Sequence, residues 1–380
     1  MLRIGIVAGE VSGDQLAADL VLSLKQHIPD LQITGIGGRC LENAGCEILF
    51  PVEKLAVMGI SEVFSRFFQI LSIRRKIRDY YLEHPPDVFI GVDAPDFNFP
   101  LEKQLRQAGI KTIHYVSPSI WAWREYRLKS IARSVNKLLT LYPFEIPYYE
   151  KYDIPAEFVG HPLASKIPLS TNRKAARIRL ELPLKKKIIA IFPGSRRGEL
   201  ERLVEPFLDS LEFCRQNDPS LCFITNLADE DACAYIRKQA ESRTPAVSIR
   251  YFTAKSLDVM EAADLILLAS GTAALEAMLM KRPMVVAYKV NWLTYQIARH
   301  MIRLPYVSLP NVIAGRLVVP EFLQMDCVSE KIAPELMSWL TNEEKVNRQV
   351  ELFEHLHQQI RADSETLLTK AVLDVVNAGN

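Results

Sequence analysis

Two short stretches carry residue types that suit an anion held at the start of a helix. Residues 264–279, DLILLASGTAALEAML, pass from an apolar strand-like run through Ser270-Gly271-Thr272 straight into a helix-forming stretch. A helix that begins at a small-residue turn leaves free backbone N–H groups and the positive end of its dipole aimed at one spot, which suits a phosphate. Glu276, one turn further on, has the chemistry to accept hydrogen bonds from sugar hydroxyls. Residues 188–192, IIAIF, lead likewise into Pro193-Gly194-Ser195-Arg196-Arg197-Gly198-Glu199. Gly194 lets backbone approach a ligand closely, Ser195 offers a hydroxyl and an N–H, and Arg196 can meet a diphosphate with paired N–H bonds. Either loop alone also reads as an ordinary turn with Gly and Thr as turn and cap; the pair points to a nucleotide.

Carboxylates, aromatics and an amide mark further strand ends. In GVDAPDFN (91–98), Asp93 directly follows an apolar strand, where it is placed to act as a general base on an attacking hydroxyl. Asp96 either binds substrate or caps the following turn. The first loop, Gly9-Glu10-Val11-Ser12-Gly13-Asp14, opens a helix but is G-x-x-x-G rather than G-x-G-x-x-G, and its carboxylates would repel phosphate. Glu10 therefore suits sugar hydroxyls or the orientation of another catalytic group, while Ser12 or Asp14 as a helix cap is the structural alternative. After the strand holding His114, SPSIWAWR sets Trp121 and Trp123 beside Arg124: a wall for a sugar ring or acyl chain, or a loop pinned by two buried indoles. Asn311 in SLPN (308–311) offers a loop amide to a donor, or is a turn residue after Pro310. His114 and His161 read first as structural histidines.

Positioning these groups requires many parallel strands. Apolar runs at 3–8, 32–37, 87–92, 111–116 and 137–142 alternate with amphipathic helical stretches, and after Gly160-His161-Pro162 a second series follows at 188–192, 221–225, 247–252, 264–269 and 284–288. Such alternation predicts an α/β chain with two Rossmann-like parallel-sheet domains facing a cleft, ligands lying outside the carboxyl ends of the strands. A length of 380 residues, 49% hydrophobic content and a net charge of +1 fit two globular domains and argue against disorder or a nucleic-acid partner. The six cysteines form no C-x-x-C pair and no zinc-ligand spacing, so the thiols should be reduced; with an arginine and helix N-termini to neutralise a diphosphate, no metal or cofactor is expected. No signal-peptide pattern opens the sequence and no apolar run reaches the roughly 18 residues of a spanning helix, which leads to the expectation of a cytoplasmic protein.

The segments AGEVSGD (8–14), GIGG (35–38), MGISEV (58–63), DAPDFN (93–98), HYVSPSIWAW (114–123), PGSRRGE (193–199), ASGTAALE (269–276) and SLPN (308–311) together resemble the lipid-A-disaccharide synthases, inverting glycosyltransferases of the GT-B fold (family 19). Val11 departs from the Ala common in that pattern. The resemblance implies transfer of 2,3-diacylglucosamine from UDP-2,3-diacylglucosamine to the 6-hydroxyl of 2,3-diacylglucosamine 1-phosphate, with a β-1,6 linkage formed and UDP released. It implies activity-critical positions at Glu10, Asp93, Arg196 and Asn311, and a nucleotide clamp built from Ser195, Arg196, Ser270, Gly271, Thr272 and Glu276. It also implies an acceptor- and membrane-binding domain over 1–165, completed by C-terminal helices 345–380, and a UDP-sugar domain over 166–344.

Acylated substrates give meaning to residues 60–81. Ile60, Val63, Phe64, Phe67, Phe68, Ile70 and Leu71 fall on one helical face ahead of the basic run Arg74-Arg75-Lys76-Ile77-Arg78, a pattern that suits either a helix packed on its own sheet or one lying among anionic headgroups. With the resemblance, docking on the inner face of the inner-membrane phospholipid surface is the expectation, Val63, Phe64, Phe67, Phe68, Ile70, Leu71, Trp121 and Trp123 being candidates for acyl or membrane contact. Residues 292–303 offer a second basic, aromatic stretch, and the C-terminal helices offer a route to a homodimer. A soluble UDP-sugar enzyme, such as a UDP-N-acetylglucosamine 2-epimerase, and a non-catalytic nucleotide or lipid sensor are the competing classes.

Overall fold

The computed structural model describes residues 1–55, 63–118, 127–243, 247–292, 295–296 and 305–378, leaving aside the side chains of 11–12 and 63–67. Contacts divide these into a first unit, Met1–Ser165 with Ile360–Asn380, and a second, Lys166–Gln359.

Each unit is built on one parallel sheet. The first holds β1 (Leu2–Ala8), β2 (Leu31–Gly37), β3 (Glu47–Pro51), β4 (Val88–Val92), β5 (Lys111–Tyr115), β6 (Lys137–Thr140) and β7 (Ala156–Phe158), in the order β3-β2-β1-β4-β5-β6-β7. The second holds β8 (Ile188–Phe192), β9 (Cys222–Leu227), β10 (Ile249–Thr253), β11 (Leu265–Ala269), β12 (Met284–Tyr288) and β13 (Glu321–Leu323), in the order β10-β9-β8-β11-β12-β13. Interior strands such as VFIGV and LILLA are buried at every residue, which is why they read as unbroken apolar runs rather than alternating ones. In both sheets the order reverses beside the first strand, so chain leaves in opposite directions from β1 and β4, and again from β8 and β11. That reversal opens a crevice at the carboxyl ends of the two strands.

The helices that matter to the site are α1 (Val11–His27), α2 (Arg39–Asn43), α3 (Val63–Glu83), α4 (Pro95–Gln107), α5 (Arg197–Asn217), α6 (Thr272–Leu279), α7 (Leu309–Ala314), α8 (Glu343–Ile360) and α9 (Ser364–Asn377). In the second unit, Gln349 of α8 donates to the Val318 carbonyl at 2.6 Å, and His357 Nδ1 lies 2.7 Å from the buried Lys281 Nζ, which also donates to the Pro168 carbonyl. Helix α9 is held in the first unit: Ser23 Oγ donates to the Glu365 carbonyl at 2.8 Å, and Lys111 Nζ donates to that of Val376 at 2.6 Å.

The interior strands coincide with the apolar runs, whereas β3, β7 and β13 were not expected. Each is an edge strand, and β7 and β13 have only three residues, so their pairing is set by a neighbour and not by an apolar pattern of their own. Interior pairing is tight enough to demand glycine at one point. A β-carbon on Gly35 would lie 1.7 Å from the Ile6 carbonyl oxygen, and backbone cannot yield there as a flexible side chain would. Gly35→Ala should therefore cost roughly 2–4 kcal/mol of folding free energy. Urea denaturation checks this, and a wild-type midpoint would contradict the packing described.

Candidate functional site

In the second unit the reversal between β8 and β11 brings the two anion-friendly loops together. Gly194, Ser195 and Arg196 follow β8, Ser270 and Gly271 follow β11, and they line one cavity of about 490 Å³ with Thr272 and Glu276. The strand-to-helix turn after β8 delivers the N-terminus of the 21-residue α5, with Arg196 at its N-cap. The turn after β11 delivers the N-terminus of α6, with Gly271 at the N-cap and no side-chain cap over its first N–H groups. Those groups are therefore available to a ligand anion. Ser195, Arg196, Gly271 and Thr272 are exposed at the mouth, and Ser270 Oγ donates to the Val307 carbonyl at 3.2 Å. Glu276 lies deeper, where burial raises its carboxyl above the ordinary carboxylate value; the Ser256 hydroxyl, donating to it at 3.3 Å, acts against that shift.

Four further residues of this cavity were not singled out from sequence. Asn226 accepts the Lys255 N–H at 2.9 Å, and Tyr288 ends β12. The Tyr288 phenol is pushed up chiefly by burial and next by the Glu199 carboxylate, against the opposing pull of Arg196 and Arg202. Both residues sit near carboxyl strand ends, so the rule that singled out Asp93 would have reached them. Ser256 and Glu199 sit in the first turns of helices and carried no such signal.

Asp14 takes the helix-cap alternative for the first loop, though on a different helix from its own. It is buried, and its carboxylate accepts the N–H groups of Gly38, Cys40 and Leu41 at 2.6, 3.0 and 3.3 Å, which caps α2 from α1. GIGG is glycine-rich at its end for the same reason: a β-carbon on Gly38 would meet the Asp14 carboxylate at 2.8 Å. Asp14 is thus committed to the fold. Glu10 holds the N-cap of α1 and is exposed.

Asp93 stands at the corresponding crevice of the first sheet, between β1 and β4. Asp93 and Ala94 both take left-handed backbone, at φ 53° and 43°, and Val116, just past β5, does so at 81°. Such conformations cost of order 1–3 kcal/mol each for residues with a β-carbon and persist only where surroundings enforce them. Here the enforcement is visible. Asn98, fully buried, donates through Nδ2 to the Asp93 carbonyl at 2.8 Å and makes longer bonds to those of Val7 and Val92. A β-carbon on Gly9 would lie 2.1 Å from that of Ala94, so Gly9 is what lets the two loops meet. Asp96 is held by two arginines: Arg127 donates to its carboxylate at 2.5 Å and Arg74 to its carbonyl at 3.3 Å. His114 is buried against Glu102, with Nδ1 2.7 Å from the carboxylate and its ring stacked on Phe99; His161, also buried, is held down to about 4 by desolvation.

Two expected contacts come out differently. Asn311 is fully buried, its Nδ2 donating to the Val319 carbonyl and to Glu321 while its Oδ1 accepts the N–H groups of Val318 and Val319, all within 2.7–2.8 Å. Its amide is saturated within the protein, so Asn311 braces Glu321, which in turn accepts from Val307 and Ser308. On α3, Ile70 leans on the core that holds Ile73, Ile77 and Tyr81, so it packs on its own sheet. Leu71 is half-buried, whereas Phe68 is 68% exposed. Ile60, Trp121 and Trp123 lie outside the described residues, as does most of 292–303, and the side chains of Val63, Phe64 and Phe67 are not described. Among the described residues no group of three or more His, Cys, Asp or Glu is placed to hold a metal ion.

A family described as lipid-A-disaccharide synthetase matches residues 4–374. Among curated relatives, the lipid-A-disaccharide synthase of Photobacterium profundum is 43% identical over 99% of this chain and 98% of its own length, and that of Cellvibrio japonicus is 42% identical over 99% and 97%. Among solved structures, the UDP-GlcNAc 2-epimerase of Neisseria meningitidis bound to UDP-GlcNAc superposes with a TM-score of 0.63 at 13% identity over 98% of this chain and 99% of that one. A glycosyltransferase from Rickettsia africae gives 0.59 at 11% identity over 99% and 98%. At such identities these structures speak to the fold alone, which is shared by enzymes of different chemistry.

The bracing role of Asn311 is testable. Asn311→Ala leaves the N–H groups of Val318 and Val319 and the Val319 carbonyl without their partner and takes one donor from the Glu321 carboxylate, so unfolding free energy should fall by roughly 2–4 kcal/mol. Chemical denaturation reads the loss; a variant as stable as wild type would return Asn311 to the ligand-contacting set.

Proposed function

We infer the reaction from one premise: this chain belongs to the lipid-A-disaccharide synthase family, whose match runs through nearly its whole length. It is a glycosyltransferase of lipid A biosynthesis. The reaction is transfer of 2,3-diacylglucosamine from UDP-2,3-diacylglucosamine to the 6-hydroxyl of 2,3-diacylglucosamine 1-phosphate, by a direct displacement that inverts the anomeric centre and releases UDP. What supports the assignment of roles is the meeting of two helix N-termini and Arg196 at one cavity in the second unit, an arrangement made to hold a diphosphate.

In this mechanism the second unit holds the leaving group. The N–H groups at Gly271 and Thr272, the loop at Ser195 and the Arg196 guanidinium meet the negative charge that grows on the diphosphate as the glycosidic C–O bond breaks. Ser270, beside them, ties the loop to Val307. Glu276 accepts the ribose hydroxyls. The first unit supplies the acceptor chemistry: Asp93, on its strained turn, takes the proton of the 6-hydroxyl as that oxygen attacks, and Glu10 orients the acceptor sugar. Asn311 contributes by fixing the loop through Glu321.

Membrane association belongs to the same proposal. Among the described residues no helix is long and apolar enough to cross a bilayer. Phe68, exposed on α3 two turns before the exposed Arg75 and Lys76, supports docking of that helix among anionic headgroups on the cytoplasmic face of the inner membrane. Self-association through the C-terminal helices, by their exposed faces or by exchange of the contacts α9 makes with α1, predicts a dimer on sedimentation of the purified protein; a monomer at all concentrations would exclude it.

The reaction is tested by incubating purified protein with both lipid substrates: UDP should appear in step with disaccharide, and UDP release without acceptor would sink the assignment. Asp93→Asn should lower kcat by roughly 10²–10⁴-fold while leaving UDP affinity within about twofold; normal turnover removes Asp93 from the mechanism. The Glu276 role carries a pH signature. Because burial raises its carboxyl, the ionised acceptor form is lost sooner as pH falls, so UDP affinity should decline on descending through a value above the ordinary carboxylate range. Glu276→Gln should flatten that decline; an unchanged acid limb would assign it to another group.

A further inference from the structure

The diphosphate loop after β8 is not vacant of negative charge. The Glu199 carboxylate accepts the N–H of Ser195 at 3.3 Å and that of Arg196 at 3.4 Å, so an internal anion sits on the donors that a phosphate would use. Gly194 is shaped around it. Its φ is +108°, and a β-carbon there would lie 2.5 Å from Glu199 Oε2 and 2.8 Å from Glu199 Cβ. Glu199 also lines the cavity itself. Arg202, one turn on, has its guanidinium engaged by the Gly198 carbonyl.

We propose that Glu199 is a resident counter-anion that sets affinity for the leaving group: the donor's diphosphate displaces its carboxylate from the Ser195 and Arg196 amides, and the carboxylate returns to those amides when UDP leaves. This rests on the nucleotide reading of the cavity. The argument is electrostatic. Two anions cannot share the same pair of N–H donors, and a carboxylate left within a few ångströms of a diphosphate repels it strongly in a partly desolvated site. Binding therefore includes the cost of moving Glu199, and release regains it. A tighter site would hold UDP after transfer, when the diphosphate carries its full charge; the returning carboxylate lowers the barrier to emptying the site. The Arg196 guanidinium, exposed beside the loop, takes no part in that exchange of amides and meets the phosphates while they are bound.

Glu199→Gln separates this role from a helix-capping one, because the amide keeps the shape and an acceptor oxygen but loses the charge. Calorimetric titration should show UDP binding roughly five- to tenfold tighter in the variant than in wild type, with uridine, which lacks phosphate, bound equally by both. Product inhibition by UDP should strengthen by the same factor. Unchanged or weaker UDP binding in a folded variant overturns the proposal, as does equal tightening for uridine. Wild-type protein that binds no UDP overturns the nucleotide reading instead. A crystal structure of wild-type protein with UDP decides the matter without a variant: the Glu199 carboxylate should have left hydrogen-bonding distance of the Ser195 and Arg196 amides, and its persistence there would refute displacement.

Discussion

Parallel strands leave all their carboxyl ends on one edge of a sheet, and where the strand order reverses, two neighbouring ends open away from each other. That constraint decides where the chemistry of this protein lies. In the first unit it sets Gly9 and Glu10, after β1, against Asp93 and Ala94, after β4. In the second it sets Gly194 and Ser195, after β8, against Ser270 and Gly271, after β11. The same geometry thus yields two different sites. What lines them differs: one crevice has the carboxylates of Glu10 and Asp93, the latter on left-handed backbone, and the other has helix N-termini and an arginine.

The two crevices also spend stability differently. Around Asp93 the cost is conformational: consecutive left-handed residues are held by Asn98 from within α4 and by the glycine that lets Ala94 approach. Around the diphosphate loop the cost is electrostatic. Two helix N-termini line one cavity, and Glu199 answers part of that positive potential with an internal negative charge. Under the proposed mechanism, strained backbone at Asp93 suits a base that must sit in one orientation, and a neutralised anion site suits a group that must be held and then let go.

Sequence reasoning reached what is periodic or local. Interior strands are apolar on both faces and cannot be mistaken, so the two sheets and the glycine-serine turns that end their strands were legible. Edge strands β7 and β13 were not, because three residues carry no period. Other placements depend on partners that a local pattern does not name. Asp14 caps a helix 24 residues on, Asn311 is saturated at and just before a short strand that carries no period, and Ile70 faces a core that no single helix reveals. Glu199 stood in a motif already quoted, yet its role depends on how Gly194 turns, which only φ shows. Motif resemblance named the family; the assignment of each residue needed the hydrogen bonds.

The central claim is that the two loops of the second unit form one anion site. Amide hydrogen exchange with and without UDP tests it directly, since each loop's N–H groups report separately. The account predicts that UDP slows exchange together at residues 195–197 and 271–274 and leaves residues 9–14 of the first unit unchanged. Protection of one loop without the other, or of the first unit in their place, would contradict it.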